Sequence, residues 1–245
     1  GRFTAGSAIN FETDDTTTTD IDIFSVAAAE VAAGGIQVSS ADAVSRNGIV
    51  IGDANRFTAD TINVNAKNTP VLNSHVNGIN ASFLVSGNIS VASANAGKSE
   101  DNKHIAASLS VGDGNLFNAG TAGSVSLNAV TDVRENAYMR SLDASLVDAL
   151  LLNFNDANVY SDTTVSVGEN TYVAETLTVS GKTAVTETMD AAGVVATLGA
   201  PLGGAVANNA QGSVNRINTT VTVAGSSDFK GTSSGEQPVV SSINK

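Results

Sequence analysis

Cysteine and tryptophan are absent from this chain, and only 4% of its residues are aromatic. Without cysteine, disulfide bonds are excluded as a source of stability. With so few large rings, the core must be narrow and built from small and β-branched side chains. This composition is typical of strands joined by turns rich in Asn and Gly. Hydrophobic residues still make up 42% of the chain and alternate regularly, which argues against disorder.

Positive charge is also scarce. The sequence has 12 Lys and Arg against 24 Asp and Glu, which gives a formal net charge of −12. A surface of this sign repels phosphate backbones and anionic lipids, so we expect no nucleic-acid partner. No run of apolar residues is long enough to cross a bilayer, so we expect no membrane insertion either.

One pattern recurs along the chain. It consists of an alternating strand, a polar turn, an aromatic residue with a small residue two places later, and a second strand. The fourth copy, over residues 164–181, shows it most fully. The aromatic anchors are spaced 54, 60, 55 and 57 residues apart, and they are Phe3, Phe57, Phe117, Tyr172 and Phe229. An internal period of this size predicts stacked supersecondary units.

We therefore interpret residues 1–245 as a single β-solenoid segment, since stacked repeats form one elongated body. The repeats run approximately over 1–54, 55–114, 115–169 and 170–225, and a fifth begins within 226–245. The first copy lacks its leading strand, and the chain starts at Gly1 without Met. These two features predict a fragment of a longer polypeptide.

The repeat length also predicts the architecture. Each repeat of 54–60 residues divides into about three coils of roughly 18–20 residues, with strands of about 4–6 residues. Coils stack about 4.8 Å apart, so roughly thirteen of them would form a rod on the order of 60 Å long. The predicted fold class is an all-β parallel β-helix with an anchor on every third coil. The Gly-Asp, Gly-Glu and Asn residues before each anchor would supply a positive-φ turn.

A second feature recurs in the middle of each repeat as a run that is apolar at both odd and even positions. Its copies begin at Val26, Ile79, Leu142 and Val194. Taken alone, residues 23–33 or 142–152 are also typical of helices. The equivalent segment of the second repeat favours strand, and equivalent positions in stacked repeats share a conformation, so we predict four strands. Strands that are apolar on both faces imply that something covers their outer side.

The turns at 110–113 and 166–169, the aromatic-x-Ala anchors and the Val-rich alternating strands resemble the repeats of very large secreted bacterial adhesins. These adhesins are of the filamentous-haemagglutinin and leukotoxin type. The resemblance covers the whole chain through motifs of low complexity. It implies secretion across an outer membrane, a right-handed β-helical shaft, and a role in attachment or as a stalk. It carries over no catalytic or binding residue, so we expect no cofactor.

Acidic residues form two patterns that could hold calcium. An acidic residue recurs at the turn of three repeats, as Asp53, Asp113 and Glu169. If each repeat made three coils, these residues would lie about 14 Å apart. That distance is too great for a shared ion, so we interpret them as solvated turn residues. A denser cluster is a weak calcium candidate because it lacks the glycine spacing of known calcium loops. Its members are Asp14, Asp15, Asp20 and Asp22.

Parallel β-helices also host polysaccharide-degrading enzymes, which need converging carboxylates. This chain has few basic or aromatic residues to accompany them. Neither His75 nor His104 has a Ser or Cys partner at a recognisable spacing, so we predict that the protein is not an enzyme. The nearest constellation of charged residues consists of Asp132, Arg134, Glu135, Asp143 and Asp148.

These observations together predict a structural and adhesive repeat segment of a secreted or cell-surface bacterial protein. It would act as a rod or stalk and as an attachment surface. The expected partner is a receptor or glycan on a host or neighbouring cell, or a second copy bound through the mid-repeat apolar strands. Two alternatives stay open: a carbohydrate-active β-helix enzyme, and a self-assembling fibre or coat repeat.

Overall fold

The computed structural model describes residues 1–99, 103–197, 205–230 and 239–244, and these residues contain no α-helix. Part of the predicted fifth repeat, residues 231–238 and 245, lies outside them.

The strands follow the chain in successive turns, which we call coils. Coil 1 contains β1 (Arg2–Thr4), β2 (Ala8–Asp15), β3 (Thr18–Ala29), β4 (Ala32–Ala43) and β5 (Arg46–Ile51). Coil 2 contains β6 (Arg56–Thr58), β7 (Thr61–Asn68), β8 (Val71–Ser82), β9 (Val85–Ala96) and β10 (Ile105–Val111). Coil 3 contains β11 (Leu116–Asn118), β12 (Ser124–Ser145) and β13 (Asp148–Val167). Coil 4 contains β14 (Thr171–Val173), β15 (Thr176–Thr197) and β16 (Ala205–Val223). Coil 5 begins with β17 (Asp228–Lys230) and β18 (Val239–Asn244).

Three parallel sheets stack each coil on the next. The anchor sheet has the order β1-β6-β11-β14-β17. The first long sheet has the order β18-β15-β12-β7-β2, and β8 pairs with both β12 and β3. The second long sheet has the order β4-β9-β13-β10-β5, with β16 on β13. In coil 3 a single strand, β12, therefore takes the place of both β7 and β8.

The register shows that one repeat makes one coil. Phe57 pairs with Phe3 on one side and Phe117 on the other, and further round the coil Ile62 pairs with Ile9. The parallel stacking of repeats is present, but the prediction of about three coils per repeat is wrong. That prediction assumed short strands, whereas β12 is 22 residues long. At about 3.3 Å per residue a coil is about 70 Å across, while five coils span only about 20 Å along the stack.

The anchor aromatics form a ladder through the core. The rings of Phe3, Phe57, Phe117 and Tyr172 stack with centroid distances of 5.1, 4.9 and 5.3 Å. Phe229 pairs with Tyr172 in register and continues the row. Phe3 is 44% exposed because, among the described residues, no ring covers its outer side. The small residues two places after the buried anchors pack in the same core, and they are Ala59, Ala119 and Ala174.

An asparagine two residues before each of the three buried anchors, Phe57, Phe117 and Tyr172, joins neighbouring coils at the corner. The backbone N–H of Asn55 donates to Oδ1 of Asn115 at 2.8 Å, and the N–H of Asn115 donates to Oδ1 of Asn170 at 2.8 Å. Each amide nitrogen donates to a glycine carbonyl in its own turn, at 2.8 to 2.9 Å. The asparagine side chain therefore satisfies backbone groups both within and between coils.

The acidic turn residues lie on adjacent coils, so the predicted separation of about 14 Å is wrong. Oδ1 of Asp53 accepts the N–H of Asp113 at 2.8 Å, and Oδ1 of Asp113 accepts the N–H of Glu169 at 2.8 Å. These carboxylates act as turn residues that link one coil to the next.

The positive φ at this corner falls at Ala54 (φ 55°) and Gly114 (φ 68°), between the Gly-Asp pair and the Asn that were predicted to supply it. The glycine before the acidic residue has a different purpose. A Cβ on Gly168 would lie 2.1 Å from Oδ1 of Asp113 on the preceding coil. Glycine is required there because the carboxylate approaches the backbone closely.

The described part of the mid-repeat runs is strand, so the helical alternative for these segments is wrong. In coils 1 to 3 the runs end at short turns over residues 30–31, 83–84 and 146–147, which lead from the first long sheet into the second. We call this end of the coils the tip. In both long sheets side chains alternate between the interior and the outer face, as β12 shows by its strictly alternating burial.

We expect Phe117→Ala to lower the free energy of unfolding by about 3–5 kcal/mol, because it removes a fully buried ring and leaves a cavity in the ladder. Chemical denaturation measures the change. The control is Phe154→Ala, since Phe154 is 42% exposed on the outer face. Equal losses in the two variants would contradict the ladder.

Two glycine substitutions test how closely neighbouring coils pack at the corner. We expect Gly168→Ala to lower the melting temperature because its Cβ would collide with the Asp113 carboxylate. Gly52→Ala should leave it nearly unchanged, since a Cβ there meets nothing within 4 Å. Calorimetry of both variants measures the difference, and a tolerated Gly168→Ala would show that the carboxylate is free to move away.

Candidate functional site on the outer face of the coils

Side chains from four coils form a polar row on the outer face of the first long sheet. In register order the row contains Asp22, His75, Tyr138 and Asp190. Nδ1 of His75 lies 2.8 Å from Oδ1 of Asp22, and its ring meets Tyr138 edge-on at 5.7 Å. Arg140 lies 4.1 Å above the Tyr138 ring and donates to Asp190 at 2.6 Å. That hydrogen bond lowers the pKa of Asp190 below its ordinary value.

An apolar row lies nearer the tip on the same face. It contains Val26, Ile79, Leu142 and Val194, one from each of four coils. Their exposures are 61%, 37%, 39% and 60%, so even the two middle members, covered by neighbours on both sides, remain open to solvent. Apolar side chains repeated at this spacing form a continuous exposed stripe, which is a feature of interaction surfaces.

A shallow groove of about 620 Å³ is lined by three members of the apolar row, Ile79, Leu142 and Val194, and by Arg140 from the edge of the polar row. Phe24 lines the groove from coil 1, where its side chain is 69% exposed. A second hollow, of about 610 Å³, lies at the tip between Ala28, Phe83 and Leu146. Apolar walls beside a cation and an aromatic ring can bind a partner.

The predicted calcium cluster is divided into two pairs on different strands. Asp14 lies on β2 and pairs with Lys67 at 3.1 Å, and Asp15 alternates to the inner side of that strand. Asp20 and Asp22 lie on β3, where their carboxylates come within 4.8 Å of His75. His75 comes from the next coil, 53 residues away, so sequence proximity could not reveal it. The repeat period reveals it only once one repeat is known to make one coil. The His75 ring already contacts Asp22, and all three side chains are exposed or half-buried.

The charged constellation around residue 132 is divided between the two faces of β12. Asp132 and Arg134 point outward and pair with each other at 3.0 Å. Glu135 and Asp143 point inward and are 2% and 0% exposed, and Asp148 is exposed near the tip. Because strand side chains alternate, neighbours in sequence lie on opposite faces, and these carboxylates form no common cleft.

The other histidine, His104, is held by contacts with residues of coil 3. Nδ1 of His104 lies 2.7 Å from Oδ2 of Asp162, and its ring stacks on Tyr160 at 5.9 Å. Its side chain is 4% exposed. His104 lies in the bend just before β10, and coil 3 covers its ring.

Glu135 is a buried acid. The sequence indicated it only as a member of the charged constellation around residue 132. Oε1 accepts the backbone N–H of Ala96 at 2.7 Å, while Oε2 has no hydrogen-bond partner. Burial raises the pKa of Glu135 to about 8; the Ala96 N–H opposes the rise, and the charges of Glu187 and Asp156 add to it. Glu187 is its register neighbour on coil 4. The interior therefore holds Glu135 as a neutral acid at neutral pH.

The chain matches no protein-family model, no curated protein and no solved structure. Among its described residues, no helix is long and apolar enough to cross a membrane.

Glu135 predicts a pH dependence of stability. Its pKa rises from 4.5 unfolded to about 8 folded, so the folded state binds more protons between these values. Stability should therefore fall as pH rises through this window, by at most about 1.4 kcal/mol per pH unit from this group. Glu135→Gln should remove that slope and be more stable than the parent at pH 9. Denaturation over pH 4–9 measures the effect.

The matched control is Glu169→Gln, which changes an exposed glutamate at the corner turn. It should keep the parental slope. If Glu135→Gln also kept it, Glu135 would not be the titrating group.

Proposed function

We propose that this chain is a structural and adhesive repeat segment of a secreted or cell-surface bacterial protein, acting as a stalk and as an attachment surface. The observation that carries the proposal is the apolar row, which repeats on the outer face of successive in-register coils. A right-handed β-helical winding is part of the proposal, as the resemblance to large adhesins implies.

The stalk role is supported by how the coils are joined. Three parallel sheets, the aromatic ladder and the asparagine and aspartate hydrogen bonds at the corner all act between one coil and the next. Stability in such an array is a sum of contacts between neighbours, so a body of this kind gains length by adding coils.

The attachment role is supported by the outer face. Interior side chains are fixed by packing, but the outer side chains of the first long sheet combine an exposed aliphatic row with Tyr138 and Arg140. An aromatic face and a guanidinium group beside apolar surface suit recognition of a receptor or glycan on another cell. The net charge of −12 keeps a body with this much exposed apolar surface soluble.

The same row suits a second copy of this chain. Val26, Ile79, Leu142 and Val194 repeat at the coil spacing, so two copies packed along the row would match over its whole length. Lateral association of this kind would bury the exposed aliphatic groups that no described residue covers. The fibre-forming alternative is thus favoured over the enzyme alternative, because the charged constellation around residue 132 is divided between the two faces of β12.

We expect the protein to self-associate at micromolar concentration and Ile79→Ser/Leu142→Ser to remain monomeric, because the double change removes the two central members of the apolar row. Sedimentation velocity over a concentration series measures this. Circular dichroism checks that the variant remains folded.

Val130→Ser is the matched control, since Val130 is outward on β12 but lies away from the apolar row. It should associate like the parent. A parent chain that stays monomeric at every concentration would remove lateral association from the proposal, and the surface would then serve other partners alone.

A further inference from the structure

Two acids and a histidine meet on the outer face of the first long sheet, where coil 1 adjoins coil 2. Asp20 and Asp22 are two residues apart on β3, so both side chains point outward. His75 of β8 is the register partner of Asp22 and points outward from the next coil. A nitrogen of His75 and one oxygen of each carboxylate all lie within 4.8 Å of one another. The three donors therefore surround one small volume.

The His75 ring is held in place by its neighbours. Nδ1 lies 2.8 Å from Oδ1 of Asp22, and the ring meets Tyr138 of coil 3 edge-on at 5.7 Å. The register partner of Asp20 on coil 2 is Asn73, an uncharged amide, so no acid of that coil lies directly opposite it. The imidazole is thus positioned beside the two carboxylates before a ligand arrives, which lowers the entropic cost of binding.

The charges around these donors favour a cation. Asp14, on the preceding strand, has a cation of its own, since it pairs with Lys67 at 3.1 Å. Within the described ranges, no lysine or arginine forms an ion pair with Asp20 or Asp22, and His75 is the neighbour that they share. Two carboxylates beside one imidazole carry net negative charge whether or not the ring is protonated. Their field, on a chain of net charge −12, attracts a positive ion.

The chemistry of the donors indicates which ion fits. One imidazole nitrogen and two carboxylate oxygens are ligands that zinc takes in proteins, whereas Ca²⁺ takes oxygen ligands. Donor atoms bound to one zinc ion lie about 3–4 Å apart, because each bond is about 2.0–2.2 Å long. The contact of 2.8 Å between His75 and Asp22 is already close to this spacing. Rotation of the exposed carboxylate of Asp20 can close the remaining distance.

We propose that Asp20, Asp22 and His75 bind a zinc ion that joins coil 1 to coil 2 on the outer face. The two carboxylates balance the charge of the ion, and water takes the position that three protein ligands leave open. Only the stacked chain brings these ligands together, so the ion stabilises the attachment of coil 1. The site differs from the calcium cluster that the sequence indicated, because it excludes Asp14 and Asp15 and requires His75. This inference does not depend on the adhesive role.

The test uses the full chain without an affinity tag, freed of metal with a chelator. Isothermal titration calorimetry and thermal melts then follow the addition of ZnCl₂. Zinc should bind once per chain, and at about 100 times the dissociation constant it should raise the melting temperature by about 5–10 °C. His75→Gln should weaken binding by more than about 10-fold and remove the shift. The matched control Asp14→Asn changes an exposed acid of the same coil and should retain both.

A spectroscopic probe tests the ligands directly. Electron paramagnetic resonance of the chain with one equivalent of Cu²⁺ should show coupling to one imidazole nitrogen, which His75→Gln loses and Asp14→Asn keeps. Asp20→Asn, a second variant at an exposed position, should also weaken zinc binding. Circular dichroism checks that each variant is folded. No zinc binding by the parent chain, or equal binding by His75→Gln, overturns the proposal. Calcium binding that His75→Gln retains, without zinc binding, would show a site of oxygen ligands alone and would also overturn it.

Discussion

The parallel, in-register pairing of the backbone between coils is the constraint on which the other features depend. Each residue lies about 4.8 Å from its counterpart one repeat away, so a side chain that suits one coil meets its equivalent on the next. This is why anchors become a stacked aromatic ladder and why asparagine and aspartate can bond across coils at the corner. The polar row on the outer face follows the same register. His75 of coil 2 and Tyr138 of coil 3 lie between Asp22 of coil 1 and Asp190 of coil 4.

The interior of so wide a coil is not one hydrophobic core. An apolar cluster surrounds the aromatic ladder, and a second one includes Leu72 and Met139. Between the ladder and the tip, Thr163 contacts the hydroxyls of Thr131 at 2.8 Å and Thr183 at 2.6 Å. A slip of two residues would keep every inward side chain inside, but it would break such specific hydrogen bonds. Buried polar groups therefore fix the register of strands that small aliphatic residues alone would specify weakly.

Function and stability are divided between the two faces of each strand. The inward side chains decide how coils stack, and replacing them changes the fold. The outward side chains of the first long sheet contribute much less to stacking, and there the apolar row and the groove beside Arg140 lie. The proposed structural and adhesive role needs this division, because a rigid interior can present the same outer surface on every coil. Asp143 and Glu135 belong to the interior, so their chemistry bears on stability rather than on recognition.

The amino-acid sequence by itself determined the repeat, the aromatic anchors and the strand character of the chain. Periodicity and alternation are local properties, so the positions of Phe57, Phe117 and Tyr172 could be matched without coordinates. The number of coils per repeat could not, since it depends on where the chain turns, and long strands such as β12 have no distinguishing local signal. Only the tertiary structure placed Asp22 beside His75 and separated Glu135 from Arg134. Register between distant strands and the inward or outward direction of each side chain are set by stacking, which acts across 52 to 63 residues of chain.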